Sequence, residues 1–83
     1  MDSIDLPIVE VIWRDAEESG EIGWNDLEEM KEYAAEACPL VKSVGYLLFE
    51  SEAHISLLHA ISSGGCSSVE KIPKGFIENL RRV

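Results

Sequence analysis

The stretch KSVGYLLFESEAHISLLHAI, residues 42–61, decides the fold. It is the one part of the chain where β-branched, aromatic and other apolar side chains follow one another closely enough to found a core. The apolar residues fall into two runs, residues 41–50 and 54–61, which are separated by the short polar segment 51–53. This arrangement predicts a β-hairpin of two neighbouring strands.

Both faces of the first predicted strand are apolar, because side chains alternate between the two faces along a strand. Its faces are lined by Val44, Tyr46 and Leu48 and by Val41, Leu47 and Phe49. A strand that is apolar on both faces is typical of the interior of a sheet. Gly45 lies within this strand and predicts a bend, a bulge or the close passage of another backbone.

Three further strands are predicted outside the hairpin. In residues 8–14, IVEVIWR, the alternation places Val9, Val11 and Trp13 on one face. Residues 69–73, VEKIP, and 77–82, IENLRR, are also expected to be extended. The segment PKGFI that joins them predicts a single 3₁₀ turn.

Residues 26–37 are predicted to form one helix. Asn25 is expected to cap it, with Glu28 three residues later as in a capping box, and Pro39 stops it near Cys38. Apolar residues recur at helical spacing and form one stripe, which consists of Leu27, Met30, Tyr33, Ala34 and Ala37. We expect the helix to lean on the hairpin.

The order of elements is strand, helix, three strands, 3₁₀ turn and strand. It predicts an α+β, mainly β fold: a small SH3-like or Sm-like barrel of about five short strands, with the helix inserted after the first strand. An open sheet with the helix laid on one face has the same order and is the alternative. A length of 83 residues fits a single domain, 1–83, with residues 1–7 as a loose N-terminal lead-in.

The net charge of −9 argues against direct binding to nucleic acid, because the chain and the phosphate backbone repel each other. Cys38 and Cys66 lack metal-ligand spacing and are expected to be free thiols.

The segment MDSIDLPIVE lacks the basic region of a secretory signal, and no apolar run approaches the ~18 residues of a membrane span. We therefore expect a soluble protein of the cytoplasm with no membrane partner.

Acidic residues concentrate between Glu10 and Glu36 and predict a surface that either meets a basic partner or resembles nucleic acid to a nucleic-acid-binding protein. The alternative is a solvated helix face that keeps the protein soluble. The candidate partner-binding residues are Asp15, Glu17, Glu18, Trp24, Glu28, Glu29 and Glu32. Trp13, Asp15 and Trp24 are expected to lie together and fix the loop 15–23 onto the barrel, unless both indoles are simply core residues.

Basic residues near the C-terminus form a second candidate surface, which could bind an anion or a neighbouring copy of the chain. They are Lys71, Lys74, Arg81 and Arg82.

No pattern predicts catalysis, a metal site or a cofactor. His54 and His59 are five positions apart in a predicted strand and point to opposite faces, so they cannot share a metal ion. Cys66 lies in the loop 62–68, whose sequence supplies no base to activate a thiol nucleophile.

Five segments together resemble a set of short, uncharacterised proteins that are encoded by bacteriophages and prophages. The segments are VIWRDA (11–16), GW (23–24), SVGYLLFES (43–51), HISL (54–57) and VEKIPKGFI (69–77). They contain the motifs W-x-D-A, G-W, V-G-[YF]-L-[LV] and I-P-[KR]-x-x-I. The resemblance implies a phage origin and carries over no catalytic residues. Phage accessory proteins of this size often serve host takeover or block bacterial defences by binding.

The expected function is therefore that of a non-enzymatic, phage-encoded accessory protein that binds a host macromolecule, assembles with itself, or does both. Two alternatives stay open. One is an oligomer that uses Lys71, Lys74, Arg81 and Arg82 to sequester a small anionic ligand, such as a signalling nucleotide. The other is a minor component of the virion.

Overall fold

A computed structural model describes residues 5–83 of the chain. It contains one helix, α1 (Leu27–Ala35), one 3₁₀ turn (Lys74–Phe76), and the strands β1 (Ile8–Arg14), β2 (Leu40–Glu50), β3 (His54–Leu58), β4 (Val69–Pro73) and β5 (Ile77–Arg82). Residues 1–4 of the predicted lead-in lie outside the described residues. The end of that lead-in is attached to the sheet, because the Pro7 carbonyl accepts a hydrogen bond from the Leu47 amide at 2.8 Å.

The five strands form one open, antiparallel sheet in the order β4-β3-β2-β1-β5. The predicted α+β, mainly β class is confirmed, and the hairpin of residues 42–61 supplies the two strands β2 and β3. The second strand of the hairpin ends at Leu58 and not at Ile61, which makes only an isolated bridge with Cys66. The cause is Ser67, whose hydroxyl accepts hydrogen bonds from the amides of His59 and Ala60 and takes them from the ladder.

One face of this sheet holds the hydrophobic core. Its fully buried members are Val9, Val11, Ile55, Leu57 and Ile72, and packed against them are Trp13, Leu47, Ile77 and Leu80. Both edge strands contribute to the same cluster, since Ile72 belongs to β4 and Leu80 to β5. The sheet is therefore curled around a single core, while within residues 5–83 its two edge strands do not pair with each other.

Gly45 marks the closest backbone approach in the hairpin, as its position within the strand predicts. A Cβ atom at this position would lie 2.7 Å from the Leu58 carbonyl oxygen. Real Cβ atoms essentially never come that close to a backbone oxygen, so only glycine fits without a shift of β3. The register of β2 against β3 also shifts between Leu47 and Phe49, which places a bulge at the end of the same strand.

The helix is shorter than predicted and has a different cap. It spans Leu27–Ala35, and the Asp26 carboxylate accepts the Glu29 amide at 3.0 Å. The predicted cap, Asn25, is wrong because its side-chain amide is already engaged with the backbone of Glu21, with both hydrogen bonds 2.9 Å long. Asp26 is then the first free acceptor before the helix, and a carboxylate there suits the positive end of the helix dipole.

The helix does not lean on the hairpin, and the arrangement with the helix laid on one face of the sheet is also wrong. It buries no residue and makes no extensive contact with any strand. The molecule is accordingly elongated, with extents of 57 × 24 × 20 Å. Its radius of gyration of 17.2 Å exceeds the about 12 Å expected for a compact chain of this length.

Substitution of Gly45 by alanine tests the close approach of β2 and β3. We expect the free energy of unfolding to fall by about 1–3 kcal/mol, because the added methyl group would overlap the Leu58 carbonyl. Urea unfolding measures this. Gly75→Ala is the matched control, since a Cβ at Gly75 meets no atom within 4 Å. Equal losses in the two variants would contradict the assigned contact.

Candidate interaction surface

Residues 15–36 form a single excursion between β1 and β2, here called the acidic arm. Its base is tied to the segment before β2 by two hydrogen bonds. The Asp15 amide donates to the Pro39 carbonyl at 3.0 Å, and the Arg14 guanidinium donates to the Cys38 carbonyl at 2.7 Å. Glu78 holds the same guanidinium from β5 at 3.1 Å. The arm therefore leaves the sheet from a fixed point at one end of β1.

Nearly all of the protein's excess negative charge lies on this arm. It contains nine of the 16 acidic residues and one of the seven basic residues of the chain. The predicted contact residues Glu17, Glu18, Glu28, Glu29 and Glu32 are exposed there, and Asp15 is half-buried at the base. Lys31 makes a single long ion pair with Glu28 at 3.4 Å. The arm thus presents an acidic surface that is almost uncompensated.

The same arm exposes its largest apolar side chains. Ile22 and Trp24 are fully exposed, and Leu27 is 66% exposed. The hypothesis that Trp24 lies with Trp13 and Asp15 against the sheet is therefore wrong. Trp13 is separate: it packs on the core and donates its indole N–H to the Ser43 hydroxyl at 3.1 Å. The positive φ angles of Gly20 and Gly23, 112° and 105°, turn the loop back on its own helix and leave Trp24 outside.

Tyr33 is the internal anchor of the arm. Its hydroxyl oxygen is buried without a hydrogen-bond partner, in a small cleft lined by Glu17, Ala34, Glu36 and Cys38. Burial raises the pKa of the Tyr33 phenol above its ordinary value of 10.0, and the nearby Glu17 carboxylate raises it further. The Glu17 carboxylate lies close enough to Tyr33 to raise the pKa of the phenol, although the two side chains do not form a hydrogen bond of good geometry. The loop before the helix is thus folded against the helix itself.

The face of the sheet opposite the core, here called the outer face, is also apolar and uncovered. The register aligns one residue from each of four strands in a row across it, namely Val69, Leu58, Tyr46 and Ile8. Leu58 is buried by its neighbours, whereas Ile8 and Val69 are more than 40% exposed. The bulge between Leu47 and Phe49 places Phe49 opposite Ser56 on the outer face, so the predicted grouping of Phe49 with Val41 and Leu47 is wrong. On β2 the outer-face residues Leu40 and Val44 are more than half exposed.

The structure separates the predicted basic residues onto the two edge strands and the turn between them. Lys71 is on β4, Lys74 begins the 3₁₀ turn, and Arg81 and Arg82 are on β5. Two of the four are neutralised: Lys74 pairs with Glu50 at 2.7 Å, and Arg81 makes two hydrogen bonds to Glu10, at 3.1 and 3.3 Å. An anion would have to compete with these carboxylates.

Residues 5–83 contain no group of three or more potential metal ligands. Cys38 and Cys66 are both exposed free thiols. A cleft of about 310 Å³ is lined by His59, Glu70, Ser43 and Ser68 together with apolar side chains. A second cleft, of about 280 Å³, lies between the base of the arm and the 3₁₀ turn and includes Phe76. Sequence reasoning missed both clefts and the apolar row, because all three depend on strand register.

Comparisons with protein-family models, with curated protein sequences and with solved structures find no match to this chain. In the part of the chain that the structure describes, no helix is both long and apolar enough to cross a membrane. The acidic arm and the outer face of the sheet are the two candidate interaction surfaces of the described residues.

The proximity of Glu17 to Tyr33 predicts that substitution of Glu17 changes the pKa of the Tyr33 phenol. Because the carboxylate disfavours the tyrosinate, Glu17→Gln should lower the pKa of Tyr33, which ultraviolet absorbance of the tyrosinate follows. The chain has two tyrosines, so the titration is recorded in a Tyr46→Phe background. Glu18→Gln is the matched control. An unchanged Tyr33 titration in the Glu17→Gln protein would show that the loop is not folded on the helix.

The ionisation of Glu10 makes the stability of the folded protein depend on pH. The hydrogen bonds from Arg81 lower its pKa below the ordinary 4.5, against a smaller opposing effect of burial. A lowered folded-state pKa contributes stability above pH 4.5, and that contribution is lost as the pH falls through the folded value. The stability difference between wild type and Glu10→Gln should therefore shrink in that acid range, whereas Glu52→Gln should show no such trend. Urea unfolding at several pH values measures both.

Proposed function

We propose that the protein is a non-enzymatic, phage-encoded accessory protein that acts in the bacterial cytoplasm by binding another macromolecule through its acidic arm. The observation that supports this most directly is the state of α1. Its nine residues include none that is buried, although the helix carries Leu27, Met30 and Tyr33 on one stripe. Within the described residues the apolar surface at Trp24 and Leu27 is left uncovered.

The physics of short helices supports a binding role for this arm. An isolated helix of fewer than about 12 residues is marginal in water, and helices in proteins gain most of their stability from packing an apolar face. The arm supplies some local support through the Asp26 cap, whereas the buried, unpartnered Tyr33 hydroxyl costs stability. A partner that covers Trp24 and Leu27 would supply the rest. Host takeover or interference with a bacterial defence is the purpose that the phage resemblance suggests for such binding.

The chemistry of the arm defines the kind of surface that it fits. Exposed tryptophan is a frequent anchor of protein interfaces, where it fills an apolar pocket at the centre of the contact. Exposed carboxylates flank Trp24 in the sequence of the arm, at Glu21, Asp26, Glu28 and Glu29. The complementary surface is therefore an apolar groove with a basic rim.

The alternative of sequestering a small anion has less support, because Lys74 and Arg81 already hold carboxylates. No feature of the described residues favours a virion component over a free accessory protein. Self-assembly has a specific basis in the structure, since the chain itself carries a surface with the chemistry that the arm requires.

Two arm variants test the proposed function. Trp24→Ala should weaken binding of the protein partner at least tenfold, about 1.4 kcal/mol, without lowering the melting temperature, because Trp24 is 100% exposed. The charge reversal E28K/E29K/E32K should abolish binding. The partner is captured from bacterial lysate, identified by mass spectrometry, purified, and titrated against each variant by calorimetry.

A charge-matched control separates the arm from net charge. D5K/E52K/E70K changes the total charge by the same amount at exposed acids outside the arm. It should retain binding. Equal loss of binding in both triple variants, or a Trp24→Ala protein that binds as wild type does, would remove the arm from the proposed function.

A further inference from the structure

We infer that the acidic arm binds the outer face of the sheet in a second copy of this chain, so that two copies form a reciprocal, two-fold dimer. This inference rests on the proposed function only in taking the arm as the binding element, and it names the partner as the chain itself. Both surfaces are described above: an acidic, apolar arm and an uncovered sheet face.

The outer face carries mainly positive charge, whereas the arm carries mainly negative charge. Alternation from the core residues places Arg14, Lys42, Lys71 and Arg81 on this face, together with the acid Glu10. Glu10 is neutralised by Arg81 and Arg14 by Glu78, which leaves Lys42 and Lys71 on either side of the apolar row. The arm, in contrast, holds nine acids and one base. The two surfaces of one chain are therefore complementary in charge.

The dimensions of the two surfaces also match. The row Val69, Leu58, Tyr46 and Ile8 crosses four strands, which at the usual strand spacing is about 14 Å. Helix α1 has nine residues, which at the usual rise per residue is also about 14 Å. A helix of this length laid across the strands would reach from Ile8 to Val69. Leu27 would then lie on the row, and Val44, 55% exposed, would extend the contact.

The arm cannot readily cover the outer face of its own sheet. Its base is fixed by the bonds of Asp15 to Pro39 and of Arg14 to Cys38, at the end of β1 and the start of β2. Helix α1 makes no extensive contact with any strand of its own sheet, and the molecule is elongated, with a longest extent of 57 Å. A second copy related by a two-fold axis could bring its outer face to this arm and offer its own arm in return. Such an arrangement closes on itself and leaves no arm uncovered.

Size-exclusion chromatography with light scattering tests the dimer on the full chain. We expect twice the chain mass of 9.2 kDa, and a single-chain mass for Trp24→Ala, for E28K/E29K/E32K and for K42E/K71E. Arg82→Glu is the control, because Arg82 is opposite Val9 on the other face and should leave the dimer intact. All substituted residues are exposed, and melting temperatures confirm that each variant folds.

Mixing the two charge-reversed chains gives the sharpest test. In an equimolar mixture of E28K/E29K/E32K and K42E/K71E both arm–face contacts of a mixed dimer join opposite charges, so a mixed dimer should form although neither variant dimerises alone. Failure of the mixture to associate, or a dimer whose mass is unchanged by all three variants, overturns the inference.

The failure of this inference is distinguishable from failure of the proposed function. A wild-type chain that stays monomeric at millimolar concentration overturns the dimer. Binding of another purified protein that depends on Trp24 would in that case still support the proposed function. Arm variants that alter neither the mass nor any binding would overturn both.

Discussion

The core is built from one face of one sheet, and this constraint governs the rest of the molecule. The fully buried residues come from β1, β3 and β4, while Leu47 and Leu80 bring β2 and β5 to the same cluster. A curled sheet of this kind covers its own core from both edges. The helix is therefore not needed to exclude water from the core, and for this reason α1 can be well capped and yet bury no residue.

The contacts at the end of β1 fix the point at which the arm, with its helix, leaves the sheet. Arg14 contacts both the Cys38 carbonyl and Glu78, so the two ends of the arm and the edge strand β5 meet at one guanidinium. Beyond this point the arm is organised by its own contacts, chiefly the Asn25–Glu21 pair and the packing around Tyr33. A fixed base and a tip with contacts of its own reduce the ordering that a partner still has to impose, and packing on the partner would supply the remaining stability of the helix.

The local pattern of the sequence was sufficient to predict the strands. Strand β1 follows from alternation over seven residues and Pro73 limits β4, and the predicted bounds of β1, β4, β5 and the 3₁₀ turn between the last two agree with the structure. The close approach at Gly45 was also predictable, because a glycine inside an apolar strand commonly marks a bulge or a site where another backbone comes near. These features depend on a few neighbouring residues, and the sequence displays them directly.

What the sequence could not predict depends on distant partners. Asn25 and Asp26 are equally good caps in isolation, and the engagement of Asn25 with Glu21 decides between them. The pairing of Arg81 with Glu10 joins residues 71 positions apart and follows from the register of β5 on β1. Trp24 was expected near Trp13 because large aromatic residues in small domains are usually buried. That expectation failed because the core is complete without it.

The distribution of charge argues that the arm is more than a solubilising surface. Carboxylates that only keep a protein soluble need no exposed tryptophan and leucine among them, whereas the arm exposes Trp24 and Leu27 with its acids. The remaining charges are nearly balanced, and the outer face carries Lys42 and Lys71. Repulsion between two chains of charge −9 is screened over about 8 Å at physiological ionic strength. Contact between the arm and the outer face acts at shorter range and with opposite sign, so it is weakened far less by salt than the overall repulsion is.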